Sequence, residues 1–250
     1  KAAASRIGWE QAGGLVELEP AESHYVARVL RFRRGDRLAL IDGEGQLWTA
    51  TLEQEAAVRL EQPLDRPHQQ ARRPWPAITL AMAVPKRDAD LVWRMATELG
   101  ASGLQPLLAS RGVVRGEQPL ERWRSIVREA TEQCERLWLP QLADPVEAVS
   151  WFTTAEPGPA LLATTRLDGL PTLAELLPSL IQESLAGPSD HDPTRLRLAI
   201  GPEGGWSPDE EEAAVATGWQ PVSLGDSILR TSTAAVAALA WLTLGAARPK

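Results

Sequence analysis

Apolar and polar positions change their period along this chain. Residues 1–61 read as a small β-rich unit. Leu15-Val16-Glu17-Leu18 and Arg37-Leu38-Ala39-Leu40-Ile41 predict two strands, and Gln46 to Leu52 predicts a return strand after the turn Asp42-Gly43-Glu44-Gly45. Between the first two strands, within Pro20 to Phe32, the apolar residues Tyr25, Val26, Val29 and Leu30 fall at helical spacing. The stretch from Pro63-Leu64-Asp65-Arg66-Pro67 through Arg72-Arg73-Pro74-Trp75-Pro76 is polar and punctuated by proline, the signature of a boundary between domains. The reading is a first domain over residues 1–70 and a second over 75–250, with no internal repeat.

Beyond the boundary, short apolar runs alternate with helical periods. Ile78 to Val84, Leu104 to Leu108, Ala160 to Ala163, Leu196 to Ile200 and Pro221 to Leu224 predict strands. Asp88 to Leu99 predicts a helix with Leu91, Val92, Met95 and Leu99 on one face and Gly100 as its stop. Pro119 to Leu137 predicts a long charged helix whose inner stripe is Trp123, Ile126, Val127, Ala130 and Cys134. Pro188 to Thr194 predicts a flexible loop. Strand and helix in alternation imply a parallel α/β domain with ligands at the carboxyl ends of its strands.

Charge refines the picture because of where it sits. The net charge of −7 is unpromising for a nucleic-acid binder. Residues 1–75 are nevertheless neutral overall, 76–150 carry −1 and 151–250 carry −6. The neutral part holds the dense run Arg28, Arg31, Arg33, Arg34 and Arg37, and local patches set the field that an RNA meets. As the bland alternative, some of these arginines simply solvate the surface of the β-rich unit beside Glu22 and Asp36. One cysteine, Cys134, excludes an internal disulfide and fits a reducing, cytoplasmic setting. Lys1 to Arg6 leads into no apolar segment, so no signal peptide is expected. Thr231 to Ala247 lacks charge, but it is short for a spanning helix and contains Thr231, Ser232, Thr233 and Thr243, so a buried or subunit-facing helix is expected.

The most informative segment is Ile200-Gly201-Pro202-Glu203-Gly204-Gly205-Trp206-Ser207-Pro208-Asp209-Glu210. It leaves an apolar strand, and its glycines allow a sharp turn and close approach of backbone to a ligand. Ser207, Pro208 and Glu210 then supply the cap, the first-turn proline and the capping box of a helix. A plain strand-to-helix turn accounts for the glycines equally well. The segment is neither a phosphate loop with its lysine nor a dinucleotide fingerprint. A second such turn follows at Leu224-Gly225-Asp226-Ser227-Ile228-Leu229-Arg230-Thr231-Ser232-Thr233-Ala234, with a helix starting near Thr231 and Ser232.

Together these two segments resemble the ribosomal-RNA uridine-N3 methyltransferases of the SPOUT superfamily, whose signatures are a Gly-Pro-Glu-Gly-Gly loop and a Leu-Gly…Ile-Leu-Arg-x-x-Thr-Ala loop. The resemblance covers nearly the whole chain. It includes His24-Tyr25-Val26-Ala27-Arg28-Val29-Leu30-Arg31 with Gly35-Asp36, then Lys86, Thr97-Glu98-Leu99-Gly100 and Pro106. It also includes Glu129-Ala130-Thr131-Glu132-Gln133-Cys134-Glu135-Arg136 with Pro140. It implies a small PUA-like β-barrel before the linker and a trefoil-knotted α/β domain after it. It further implies a bent S-adenosyl-L-methionine held by backbone groups of three loops. By motif position these are Ala163, Thr164 and Thr165; Gly201, Pro202, Glu203, Gly204 and Gly205; and Leu224, Gly225, Ile228, Leu229, Arg230 and Thr231. Homodimers, a small-subunit ribosomal RNA substrate met in the assembled subunit, and neither metal nor membrane complete the expectation. The chain departs from many relatives at Ser232, where they carry Glu.

Chemistry assigns roles within that frame. The imide nitrogen of uracil must lose a proton before it attacks a methyl group, and a guanidinium stabilises charge moving onto the uracil oxygens. Arg230 is the first candidate for that guanidinium; otherwise it ties its loop to a carbonyl or to Asp226. Glu203 is a base, or it orients its loop by accepting backbone N–H bonds. Ser232 is expected to cap the last helix. Gln133 and Arg136, one helical turn apart, hold RNA or a second subunit, or form a solvated face; Lys86 meets phosphate or is a surface lysine. His24 has no ligand-spaced partners for a metal. The uncharged helix from Thr233 to Ala246, with Trp241, is the expected dimer surface. Rival readings are a SPOUT enzyme acting on tRNA, an RNA-binding assembly factor without activity, and a different nucleotide-binding α/β protein.

Overall fold

The computed structural model describes residues 2–3, 14–54, 57–114, 116–154, 156–165, 167, 169–185 and 195–245. The expected loop from Pro188 to Thr194, and Ala246 at the end of the expected last helix, lie outside the described residues. Two units emerge: Lys1–Arg73 with Thr131–Leu139, and Pro74–Ala130 with Pro140–Lys250.

The first unit is built on period-two strands. They are β1 (Ala2–Ala3), β2 (Leu15–Glu17), β3 (Arg37–Ile41), β4 (Gln46–Gln54), β5 (Ala57–Leu60) and β6 (Gln69–Gln70). The sheet runs β1-β3-β4-β5-β2, with β6 beside β4. All its pairs are antiparallel except β1 with β3. In β4, Trp48, Ala50 and Leu52 are buried while Thr49, Thr51 and Glu53 are not, the alternation a half-buried strand requires. Those three pack with Val16, Val26, Leu40 and Val58. The 42–45 turn is held by Asp42 Oδ1, which accepts the N–H groups of Glu44 and Gln46 at 2.8 and 3.0 Å.

Two expectations fail in this unit, each for a visible reason. Helix α1 (Pro20–His24) passes into a π-turn over Tyr25–Val29, closed by Leu30 N–H to Tyr25 O at 3.0 Å. The wider turn breaks the 3.6 period, so only Val26 is buried while Tyr25, Val29 and Leu30 stand exposed. The helix over Pro119 to Leu137 is also shorter: α3 (Leu120–Gln133) stops where Glu135 takes a left-handed φ of 59°. Arg136 N–H closes that end on Thr131 O at 3.0 Å, a Schellman-like bond. Cys134 therefore lies past the last turn rather than in its stripe. The chain then packs Leu137 with Ile41 and Leu47, and Trp138 Nε1 donates to Ala71 O at 3.1 Å. At Gly45 a Cβ would come within 2.6 Å of the Trp138 ring, so that glycine is fixed by packing as well as by its φ of 97°.

The second unit is an all-parallel sheet ordered β10-β8-β7-β12-β11-β13, with β9 beside β8. Its strands are β7 (Ala77–Ala83), β8 (Gly103–Leu108), β9 (Gln141–Leu142), β10 (Val146–Glu147), β11 (Ala160–Ala163), β12 (Arg195–Ile200) and β13 (Gln220–Val222). Besides α3, its helices are α2 (Ala89–Glu98), α4 (Ala148–Phe152), α5 (Leu173–Leu185), α6 (Pro208–Ala216) and α7 (Thr231–Gly245). Both faces of the sheet are covered, as continuous apolar strands demand. Ile78, Leu80 and Met82 of β7 share a core with α2, α3, α5 and α7. Ala81 and Ala83 point to the other face, among Phe152 of α4, Ala214 of α6, Trp206 and Trp219.

Helix α2 buries Val92 of the expected face together with Trp93, Ala96 and Thr97, so the buried face is rotated from the expected one; Leu91 is 41% exposed. Trp93 decides the rotation, since its ring is buried edge-on against Trp123 with centroids 5.8 Å apart. Among the described residues no helix is long and apolar enough to cross a membrane, and none of the His, Cys, Asp and Glu side chains form a metal-binding group.

Candidate functional site

Because β12, β11 and β13 are parallel neighbours, the loops that leave their carboxyl ends meet on one edge of the sheet. They enclose a cleft of about 660 Å³ including its open mouth. The first loop contributes Ala163, Thr164 and Thr165; the second Gly201, Pro202, Glu203, Gly205 and Trp206; the third Leu224, Ser227, Ile228 and Leu229. Ile200 of β12 and Thr231 and Ala234 of α7 complete the wall.

The second loop is the hub to which the others are fastened. Trp206 is buried, and its indole N–H donates to Ala163 O at 3.0 Å. Its ring lies under Gly201, where a Cβ would approach to 3.1 Å. Thr231 Oγ1 donates to Gly201 O at 2.8 Å, tying the start of α7 to the second loop. Thr164 Oγ1 donates to Glu211 Oε1 at 2.9 Å, and Thr164 N–H to Val222 O at 3.1 Å, so the first loop is held from both sides. Gly205 adopts φ 72°, a conformation that costs L side chains strain, and it lines the cleft.

The helix-start signals are realised in full. Ser207 is the N-cap of α6, its Oγ accepts Glu210 N–H at 3.3 Å, and Glu210 Oε2 accepts Ser207 N–H at 2.7 Å. The carboxylate that takes a backbone N–H of this loop is thus Glu210, while Glu203 stands exposed at the cleft wall.

Most candidates from the three loops come together, but three do not line the cleft. Gly204 faces Arg111, whose Cβ a side chain at 204 would meet at 3.1 Å. Gly225 and Arg230 are exposed beside the cleft, between residues that do line it. Ser232 is not a cap: α7 begins at Thr231, so Ser232 lies inside the first turn. Sequence reasoning passed over Trp206, Ser227, Ala234, Glu211 and Arg111. Trp206 sat within the quoted motif, where a large aromatic directly after glycines was the available signal.

Of the remaining candidates, Arg28, Arg31, Arg33, Arg34 and Gln133 belong to the first unit and are exposed; Arg31 has φ 57°. Arg136, in the same unit, is half-buried, and burial pushes its guanidinium below its ordinary value. Because α3 ends at Gln133, Gln133 and Arg136 do not share a helix face. Lys86 is exposed in the second unit, past the carboxyl end of β7.

Comparison with known proteins bears on this geometry. Residues 72–243 match the family described as RNA methyltransferase domain, and residues 18–58 the RNA methyltransferase PUA domain. The chain is 43% identical to the ribosomal RNA small subunit methyltransferase E of Synechocystis sp., over 91% of this chain and 72% of that protein. A Legionella pneumophila protein solved in complex with the cofactor SAM superposes with a TM-score of 0.75 at 30% identity, covering 93% of each chain. The ribosomal RNA small subunit methyltransferase E of Neisseria gonorrhoeae, bound to S-adenosyl methionine, superposes with a TM-score of 0.74 at 28% identity, covering 92% of each chain.

Proposed function

The chain belongs to the ribosomal RNA small subunit methyltransferase E family, and on that premise we propose that it methylates N3 of one uridine in 16S ribosomal RNA with S-adenosylmethionine as donor. The observation that carries the reading is the convergence of three loops, from adjacent parallel strands, on one cleft. The cleft suits the donor on its own terms. Its walls combine the turning loops with apolar Leu224, Ile228 and Leu229, and a Cβ at Gly201 would press to 3.1 Å on the Trp206 ring. The residues assigned to hold the donor are the cleft-lining members of the three loops, with Gly204, Gly225 and Arg230 beside them. The superfamily's trefoil threading is part of the same reading.

S-adenosylmethionine supplies, when bound, a methyl group on a sulfonium, open to in-line displacement. The task of the chain is to orient the acceptor, take its proton and hold the resulting charge. Glu203, exposed at the cleft wall, is the group we assign to accept the proton from N3. Arg230, on the same third loop as Leu229, stabilises the charge that moves onto the uracil oxygens. Arg28, Arg31, Arg33 and Arg34, with Lys86, Gln133 and Arg136, grip RNA, mainly through phosphate. The working form is a cytoplasmic homodimer joined through α7, whose Trp241 and Leu244 are 51% and 73% exposed; light scattering at micromolar concentration reads a dimer mass if so.

Incubation with methyl-labelled donor tests the reading. Label is expected to enter the RNA of small subunits assembled without this modification, and to enter naked 16S RNA more slowly. Absence of label from both substrates, with the donor bound, contradicts it.

A further inference from the structure

A fourth loop, which leaves β8, contributes no wall to the cleft, yet it is fastened to the Gly201–Trp206 loop at two points. Arg111 Nη1 donates to Trp206 O at 2.8 Å and reaches Gly204 O at 3.4 Å. One residue earlier, Ser110 N–H donates to Glu210 Oε1 at 2.7 Å, and the other oxygen of that buried carboxylate caps α6. We propose that Arg111 is a positioning residue for the donor: it fixes the peptide planes on either side of the Gly205–Trp206 peptide and so preforms the cleft wall.

The geometry around those carbonyls is specific. The Trp206 carbonyl belongs to the peptide whose N–H, on Ser207, is already bound to Glu210. The Gly204 carbonyl belongs to the peptide whose N–H, on Gly205, donates to Pro202 O at 2.8 Å. With both planes held, the peptide between them has little freedom to rotate, and its two residues, Gly205 and Trp206, line the cleft. A planar, permanently charged guanidinium can address two carbonyls from one nitrogen, and a lysine ammonium on a flexible stem is a poorer substitute. The two loops also pack closely at Gly204. Gly204 has no positive φ and no place in the wall, but a Cβ there would meet Arg111 Cβ at 3.1 Å.

This inference rests on the reading that the cleft takes S-adenosylmethionine, and its test separates the two. Donor affinity of the parent protein, Arg111→Ala and Arg111→Lys is measured by calorimetry, alongside the melting temperature of each without donor. The expected result is a loss of roughly 10- to 100-fold in Arg111→Ala, the range for a charge-assisted hydrogen bond, and partial recovery in Arg111→Lys. RNA affinity stays at the parent value. Parent-like donor affinity in Arg111→Ala, whether or not its melting temperature falls, overturns the positioning role alone, because a merely structural arginine alters stability and not the affinity of the folded protein. A parent protein that binds no donor overturns the functional reading, and this inference with it.

Discussion

In the second unit Trp206, Thr231 and Arg111 each fasten a cleft loop through a side-chain donor on a backbone carbonyl. In the first unit Arg28, Arg31, Arg33 and Arg34 stand exposed; the turn at 33–36 is held through its backbone, by Arg33 N–H to Asp36 Oδ2 at 2.7 Å and Gly35 N–H to Leu52 O at 2.8 Å, and leaves these side chains without a hydrogen bond among the described residues. Both regions are irregular connections, and on the proposed function they serve different ligands. A small molecule gripped by backbone groups needs those groups in place beforehand, because ordering them on binding subtracts from affinity. A polyanion needs mobile positive charge within reach, and sequence-independent phosphate attraction tolerates imprecise placement.

That contrast breaks most visibly at Gly205. Its φ of 72° and its place in the wall mean that Gly205→Val adds both strain and bulk. Calorimetry is expected to show donor affinity lowered roughly 100-fold or more, with RNA affinity retained; unchanged donor affinity removes this loop from the site. Arg230 sharpens the comparison because it sits at the preformed region without lining it. Arg230→Ala is expected to reduce turnover by about 10²–10³, as for loss of one oxyanion-type donor, with donor affinity unaltered. Its neighbour offers a control: Ser232, inside the first turn of α7, is expected to tolerate replacement by Ala with parent-like methylation and a stability change within about 0.5 kcal/mol.

The charged region is expected to respond weakly and additively. Replacing Arg31, Arg33 and Arg34 together by Ala lowers RNA affinity and flattens its dependence on salt, by a slope of about 2–3 if each meets one phosphate. Donor affinity stays unchanged. An unaltered salt slope places the phosphate contacts elsewhere.

The pattern of what was legible follows the same division. Gly205, Ser207, Pro208 and Glu210 could be read from sequence because backbone conformation and helix capping restrict residue type locally. The second capping box, in which Thr172 and Glu175 exchange bonds at the start of α5, carries the same signal and was overlooked. Tertiary partners were not legible. That α2 turns on Trp93 depends on Trp123, 30 positions away, and that Gly204 faces Arg111 depends on a loop from another strand. The π-turn at Tyr25–Val29 defeated helical spacing because one extra residue per turn leaves the apolar pattern intact while changing which side chains it buries.

The central claim is that this cleft methylates N3 of a uridine in small-subunit ribosomal RNA. Nucleoside mass spectrometry of 16S RNA, from cells lacking the gene and from cells complemented with it, tests that claim directly. The account predicts that 3-methyluridine disappears in the first and returns in the second, and that complementation with Gly205→Val does not restore it. Persistence of 3-methyluridine in cells lacking the gene, or loss of a different methylated nucleoside, contradicts it.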